Sequence, residues 1–262
     1  MEHYNTLGEV VYNEKVKHWR FRVKIIRIYH FYSYVTGKGP HHVYVLADEH
    51  GTKMKMTIYD IYGDRFRGLE KQEGKWVEIF IVEVGRARSG FKVAKSKFTL
   101  TATGDTQIYI IDPLNDQLYF EFKGFHEIPH MSYKERNFST DTMGVVFKTE
   151  THFDDPEGPK MVFYIRDNIE SQIKCVATWK HAYAFREGFE NRRGRRQVIV
   201  VLRMWRVHEY FSYSGPIEEC LQDEGNLSDF RFNPRLPEVE EFRQSVNNSD
   251  PYVRKNGAIG PL

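Results

Sequence analysis

His42-Val-Tyr-Val-Leu-Ala-Asp-Glu-His-Gly-Thr-Lys-Met-Lys-Met-Thr-Ile-Tyr59 is the stretch on which the fold turns. An apolar run from His42 to Ala47 meets a turn at Asp48–Gly51, and an alternating run from Lys53 to Tyr59 follows. Two extended segments about a glycine-containing turn make a β-hairpin. A period of two puts Met54, Met56 and Ile58 on one face and Lys53, Lys55, Thr57 and Tyr59 on the other. The apolar set belongs to a core, so Lys55 and Tyr59 are expected together on the outer surface.

The same pattern continues on both sides of the hairpin. Arg20-Phe-Arg-Val-Lys-Ile25 alternates, with Phe21, Val23 and Ile25 inward. Ile61–Lys71 reads as a short helix, Trp76–Val82 as a strand, and Phe91–Phe98 as a further strand with Lys92, Ala94, Ser96 and Phe98 on one face. Beyond Ile111-Asp-Pro-Leu114 the order recurs. Tyr119–Phe122 leads in, Met143–Lys148 is a strand, and Met161–Ile165 with Gln172–Trp179 forms a second hairpin. A helical piece at His181–Gly188 follows, then a buried strand at Gln197–Leu202 and a last strand at Ile217–Leu221. A recurring pattern tells more than any one element. It predicts an all-β chain of two tandem five-stranded barrels, each with a short helix, spanning 1–114 and 115–236. Residues 237–262 are expected to hold a short helix after Pro237 and a flexible tail from Ser245.

Composition narrows the classes. At 262 residues the chain has room for one large domain or two small ones. Hydrophobic residues at 40% suffice for a core, and aromatics at 15% favour strands. No stretch approaches the roughly 18 apolar residues of a membrane helix, and Met1–Lys15 has no signal-peptide core. Cys175 and Cys220 are too few for a zinc site and read as reduced core residues.

The net charge of +2 averages two unlike regions. Arg86, Arg88, Lys92, Lys95 and Lys97 run without an acid between Gly85 and Phe98, and Arg192-Arg-Gly-Arg-Arg196 is a second basic cluster. Glu218 to Glu241 holds eight acids against Arg231 and Arg235. Basic residues thus share segments with rings, the combination with which single-stranded nucleic acid is held: a cation for the phosphate and a flat face for the base. In the second half, Trp179 ends a central strand, and Arg206, His208 and Tyr210 share a strand face. Catalytic patterns are thin. Gly37-Lys-Gly-Pro40 lacks the Lys-Ser/Thr pair of a phosphate loop, and His41, His42, His126 and His130 have no partners that fix a metal. Asp154-Asp155-Pro-Glu-Gly158 reads as a solvated turn.

Taken in order, the residues resemble the large subunit of the replication protein A family, in its two central OB-fold domains and especially in the divergent plant members. The likeness runs from about Lys17 to Arg243. The first barrel carries it in Lys17-His-Trp19, Leu46-Ala-Asp-Glu-His-Gly51, Thr57-Ile-Tyr-Asp60, Asp64-Arg-Phe66 and Lys92-Val-Ala-Lys-Ser-Lys-Phe98. The second carries it in Phe120-Glu-Phe122, Tyr164-Ile-Arg-Asp167, Ala177-Thr-Trp179, Arg206-Val-His-Glu-Tyr210 and Phe232-Asn-Pro-Arg-Leu-Pro-Glu238. The resemblance implies base stacking on Tyr59 and Phe98, then on Trp179 and Tyr210, with basic contacts at Lys55, Lys92, Lys160 and Arg206. Arg88, at the hairpin tip beside Lys92, joins this set. The family's N-terminal interaction domain and its C-terminal zinc-bearing domain with the trimerisation helix have no counterpart in the 262 residues, which implies a fragment or a short specialised relative.

The expected function is sequence-tolerant binding of single-stranded DNA in replication, repair or recombination, in the nucleus, without catalysis, cofactor or metal. The expected partners are single-stranded DNA and replication protein A-type subunits or other nuclear proteins, with no membrane and no small-molecule substrate. The alternatives are a telomere-end or RNA-binding OB protein and an OB protein-interaction module.

Overall fold

The hairpin is present as β2 (His41–Ala47) and β3 (Lys53–Ile58), antiparallel, with Val43 opposite Thr57 and Val45 opposite Lys55. Met54, Met56 and Ile58 are buried with Tyr44 and Leu46 in one cluster, as the alternation requires. The structure, a computed structural model, describes residues 3–12, 18–87, 92–168, 171–192, 197–210 and 218–249. Two units emerge, 1–119 and 120–262.

In the first unit β1 (Arg20–Phe31) lies antiparallel between β2 and β4 (Trp76–Arg86). β5 (Phe98–Ile111) runs antiparallel to β4 and parallel to β3. The order β1-β2-β3-β5-β4 closes on itself. It is the five-stranded Greek-key barrel of the OB fold, filled by Phe21, Val23, Ile25, Val77, Ile79 and Leu100.

Three local expectations are corrected. The fifth strand begins at Phe98, where it was expected to end, and Lys92 makes only an isolated bridge. The alternation of 92–97 is carried by Lys, Ala and Ser, whereas the apolar residues that close the barrel, Leu100 and Ala102, come later and take their register from distant β3 and β4. Ile61–Lys71 forms two short 3-10 turns, Asp60–Tyr62 and Leu69–Lys71, because Gly63 and Gly68 interrupt it and Gly68 takes a left-handed φ of 94°. Thr57 is buried although it points away from the barrel interior, as are Val43 and Val45.

The second unit repeats the plan with β6 (Thr140–His152), β7 (Lys160–Arg166), β8 (Gln172–Thr178), α1 (Trp179–Glu190), β9 (Ile199–Tyr210) and β10 (Glu218–Gln222). β10 is parallel to β8 and antiparallel to β9, and β9 pairs with β6, so the ring closes as before. A sixth strand, β11 (Asp229–Phe232), lies on the first half of β9 and was not expected. Phe163, Ile165, Phe185, Leu202 and Trp205 fill the interior. Cys175 and Cys220 are free and buried.

The short helix expected after Pro237 is present and runs four residues past Ser245. α2 (Pro237–Ser249) continues through Ser245 and seats Val239 and Val246 on Val145, Ile199 and Val201. Residues 250–262 lie outside the described residues.

The barrels share a less visible device. Ile81 in β4 and Met204 in β9 both have positive φ, 58° and 56°. This region is rarely occupied by residues with bulky side chains. In each barrel a fully buried hydroxyl donates to that residue's carbonyl: Thr106 to Ile81, and Ser228 to Met204 at 2.7 Å. Removing either hydroxyl leaves a buried carbonyl short of a partner, worth about 1–3 kcal/mol. Thr106→Val and Ser228→Ala are each expected to lower the unfolding free energy by that amount, read as a lower urea midpoint with an unchanged m-value.

Candidate nucleic-acid interface

In the first barrel the outer face of β3 carries Lys55, half-buried, and leads into Tyr59, which is 39% exposed just past the strand end. Strand pairing builds a row beside Tyr59. Phe31 at the end of β1 lies opposite His41 at the start of β2. The His41 ring stands edge-on to Tyr59 and to Phe31, at 5.1 Å from each. His41 is buried, and its Nδ1 accepts the Asp60 backbone N–H at 3.1 Å. The ring is therefore locked, and Tyr59 rests against a fixed support.

Phe98 opens β5, half-buried, and its ring packs on the barrel's core cluster. The Thr99 hydroxyl donates to the Lys55 carbonyl at 2.9 Å, so the Phe98 end of β5 lies alongside β3. Lys92 is half-buried and sits outside β5, so it does not share a strand face with Phe98. Arg88 and the basic cluster at 193–196 lie outside the described residues.

In the second barrel Trp179 follows β8 as Tyr59 follows β3. It is 62% exposed and has φ 49°, and its N–H donates to the Pro159 carbonyl at 2.9 Å. Gly158 is the support here. A Cβ at that position would come within 2.5 Å of the indole, and the backbone φ of 111° also favours glycine. Lys160 pairs with Thr178 across the strands, next to Trp179. Its ammonium lies 2.8 Å from Glu157 and 3.2 Å from Asp155, and the hydrogen bond to Glu157 outweighs desolvation to raise its pKa. Asp155 and Glu157, expected in a solvated turn, therefore hold Lys160.

Arg206 and His208 point outward from β9 while Trp205 and Val207 point inward. The Arg206 guanidinium is 3.1 Å from Glu224, and the His208 ring is 3.7 Å from the same carboxylate. Tyr210 ends β9 opposite Glu218, but its side chain is outside what the structure describes.

Residues 12–130 match the family described as "Domain of unknown function DUF223". The matched segment is just under half of the chain. No curated protein matches it. Among solved structures, a replication protein A heterotrimer bound to single-stranded DNA superposes with a TM-score of 0.63 at 16% identity, over 98% of this chain and 56% of that one. The chain thus spans little more than half the length of its match, and at that identity the likeness is one of fold. A tetrameric p202 HIN2 structure gives a TM-score of 0.39 at 8% identity, covering 84% of this chain and 96% of that one. Fission yeast Pot1 with single-stranded DNA gives 0.33 at 11%, covering 94% and 96%.

Both barrels also expose rings that alternation does not reveal. Tyr32 and Tyr34 stand open in the loop after β1, beside Phe31. The signal for them is density: His30-Phe-Tyr-Ser-Tyr34 has four rings in five residues. In the second barrel the missed ring is Tyr183, 47% exposed and one helical turn beyond Trp179.

The Glu224 carboxylate has a measurable consequence. Burial works against its charge, but the neighbouring His208 and Arg206 side chains outweigh burial and hold its pKa below the ordinary value. A depressed carboxylate stabilises the fold above the unfolded pKa of about 4.3 and loses that contribution as pH falls through the folded value. Glu224→Gln should lower stability at pH 7 and flatten the loss of stability on acidification below about pH 4.3, measured by urea unfolding at a series of pH values.

Proposed function

We propose that the chain binds single-stranded DNA without catalysis. One observation carries this reading: both barrels place an exposed ring directly after the third strand, Tyr59 and Trp179, and seat it at the entry to the second strand, on His41 at the start of β2 and on Gly158 in the loop just before β7. A ring held rigid with one face open suits base stacking, because every base has a π-face. Lys55 shares the outer face of β3 two side-chain positions before Tyr59, and Lys160 lies opposite Thr178 next to Trp179, where each is placed to meet a phosphate; Arg206 and Lys92 add charge on the same barrels. Phe98 and Tyr210 remain stacking candidates at the two fifth-strand and fourth-strand ends. The fold likeness to a replication protein A complex with single-stranded DNA supports the reading. It further suggests a place in nuclear DNA replication, repair or recombination, with replication protein A-type subunits among the partners.

Fluorescence anisotropy with a labelled dT oligonucleotide of about 30 nucleotides, near the upper site size for two OB folds, tests this. Tyr59→Ala and Trp179→Ala should each weaken binding by about 1–3 kcal/mol. Wild-type affinity should fall by about 0.7 log units per phosphate contact for each log unit of salt concentration. Unchanged affinity in the double variant would sink the assigned surface, and preferential competition by RNA would redirect it to that substrate.

A further inference from the structure

Trp179 begins a longer stripe. On α1, Tyr183 follows it by four residues and Arg186 by seven, so all three lie on one side of the helix. Four residues advance about 6 Å along the axis, so the rings stand one turn apart. Ala182 and Phe185, on the flank of this stripe, go into the core, while Trp179 and Tyr183 stay exposed. The exposed rings are therefore not what seats the helix.

The loop between β6 and β7 supports this stripe at both ends. Gly158 lies under Trp179, and Phe153 stacks on Tyr183 with centroids 4.9 Å apart and planes 23° from parallel. The Arg186 guanidinium lies 4.6 Å from the Phe153 ring centre and 6.0 Å from that of Tyr183. The acids of the loop, Asp155 and Glu157, are engaged by Lys160, while Asp154, Glu187 and Glu190 are exposed nearby.

We propose that α1 extends the single-strand path of the second barrel, with Tyr183 stacking the base next to the one on Trp179 and Arg186 contacting the phosphate beyond that second base. Two rings one turn apart, continued by a planar cation, match the base-and-phosphate repeat of a single strand. A protein partner would use the same rings, but the guanidinium set among them, in line with Trp179, favours the anionic polymer. The inference rests on the base-stacking role given to Trp179.

The test uses the full chain and a dT oligonucleotide of about 30 nucleotides. Tyr183→Ala is expected to weaken binding about tenfold, and Tyr183→Phe to retain it. Tyr183→Leu, which keeps an apolar contact with Phe153, should weaken binding as Ala does, so lost packing cannot explain the effect. Arg186→Ala should reduce the salt slope by about 0.7. An oligonucleotide bearing 5-iodouracil should crosslink to Tyr183 on irradiation, mapped by mass spectrometry. If Trp179→Ala weakens binding while Tyr183→Ala and Tyr183→Leu match wild type, the extension is overturned and the base-stacking reading stands. If wild type binds no oligonucleotide, or Trp179→Ala is without effect, both fall together.

Discussion

Ile81 and Met204 hold a backbone conformation that costs about 1–3 kcal/mol, and each barrel closes through it. The fourth strand must serve different neighbours along its length. Residues 76–80 of β4 pair with β1 and with 107–111 of β5, and residues 82–86 pair with 98–102. In the second barrel, 200–203 of β9 pair with β11 and 206–210 with β10. A strand of period two cannot shift register without turning its side chains to the wrong face, unless an extra residue absorbs the shift. Ile81 and Met204 are those residues, and a buried hydroxyl holds each carbonyl. Thr106 lies between the paired halves of β5, and Ser228 immediately before β11. β10 and β11 together are therefore the counterpart of the single β5, and the internal repeat is one device built twice from different cuts of the chain.

This also explains what could be read in advance. The hairpin from His42 to Tyr59 is local: its turn, its alternation and its burial all lie within 18 residues, and the structure follows them. The fifth strand is not local. Gly104 and Asp105 interrupt its alternation, and its register is imposed by β3, more than 40 residues earlier. β11 has only four residues and exists because β9 offers an edge. α2 hides behind Asn247 and Asn248, yet Val239 and Val246 lie seven residues apart, the spacing of one helical face. The interface divides in the same way. Tyr59 and Trp179 are legible because a residue just past a strand end is placed by the strand itself. The acid that meets Arg206 is not, because Glu224 arrives from the far side of β10.

Those pairings shape how the second barrel would meet a polyanion. Lys160 reaches it already bound to Asp155 and Glu157, and Arg206 already bound to Glu224. Partly exposed ion pairs contribute only about 0–1 kcal/mol each, so a phosphate can displace a carboxylate with little net change in either direction. A ring stacked on a base gains about 1–3 kcal/mol, and the indole of Trp179 is positioned before the ligand arrives by Gly158 beneath it. If the barrel binds a single strand as proposed, affinity would follow from the rings, while the exchanged cations would govern the encounter rate and its dependence on salt. On the proposed single-strand reading, the acids beside Lys160 and Arg206 would act as a filter. They lower the attraction for any polyanion that offers charge alone, and leave the advantage to a strand whose bases are unpaired and free to stack.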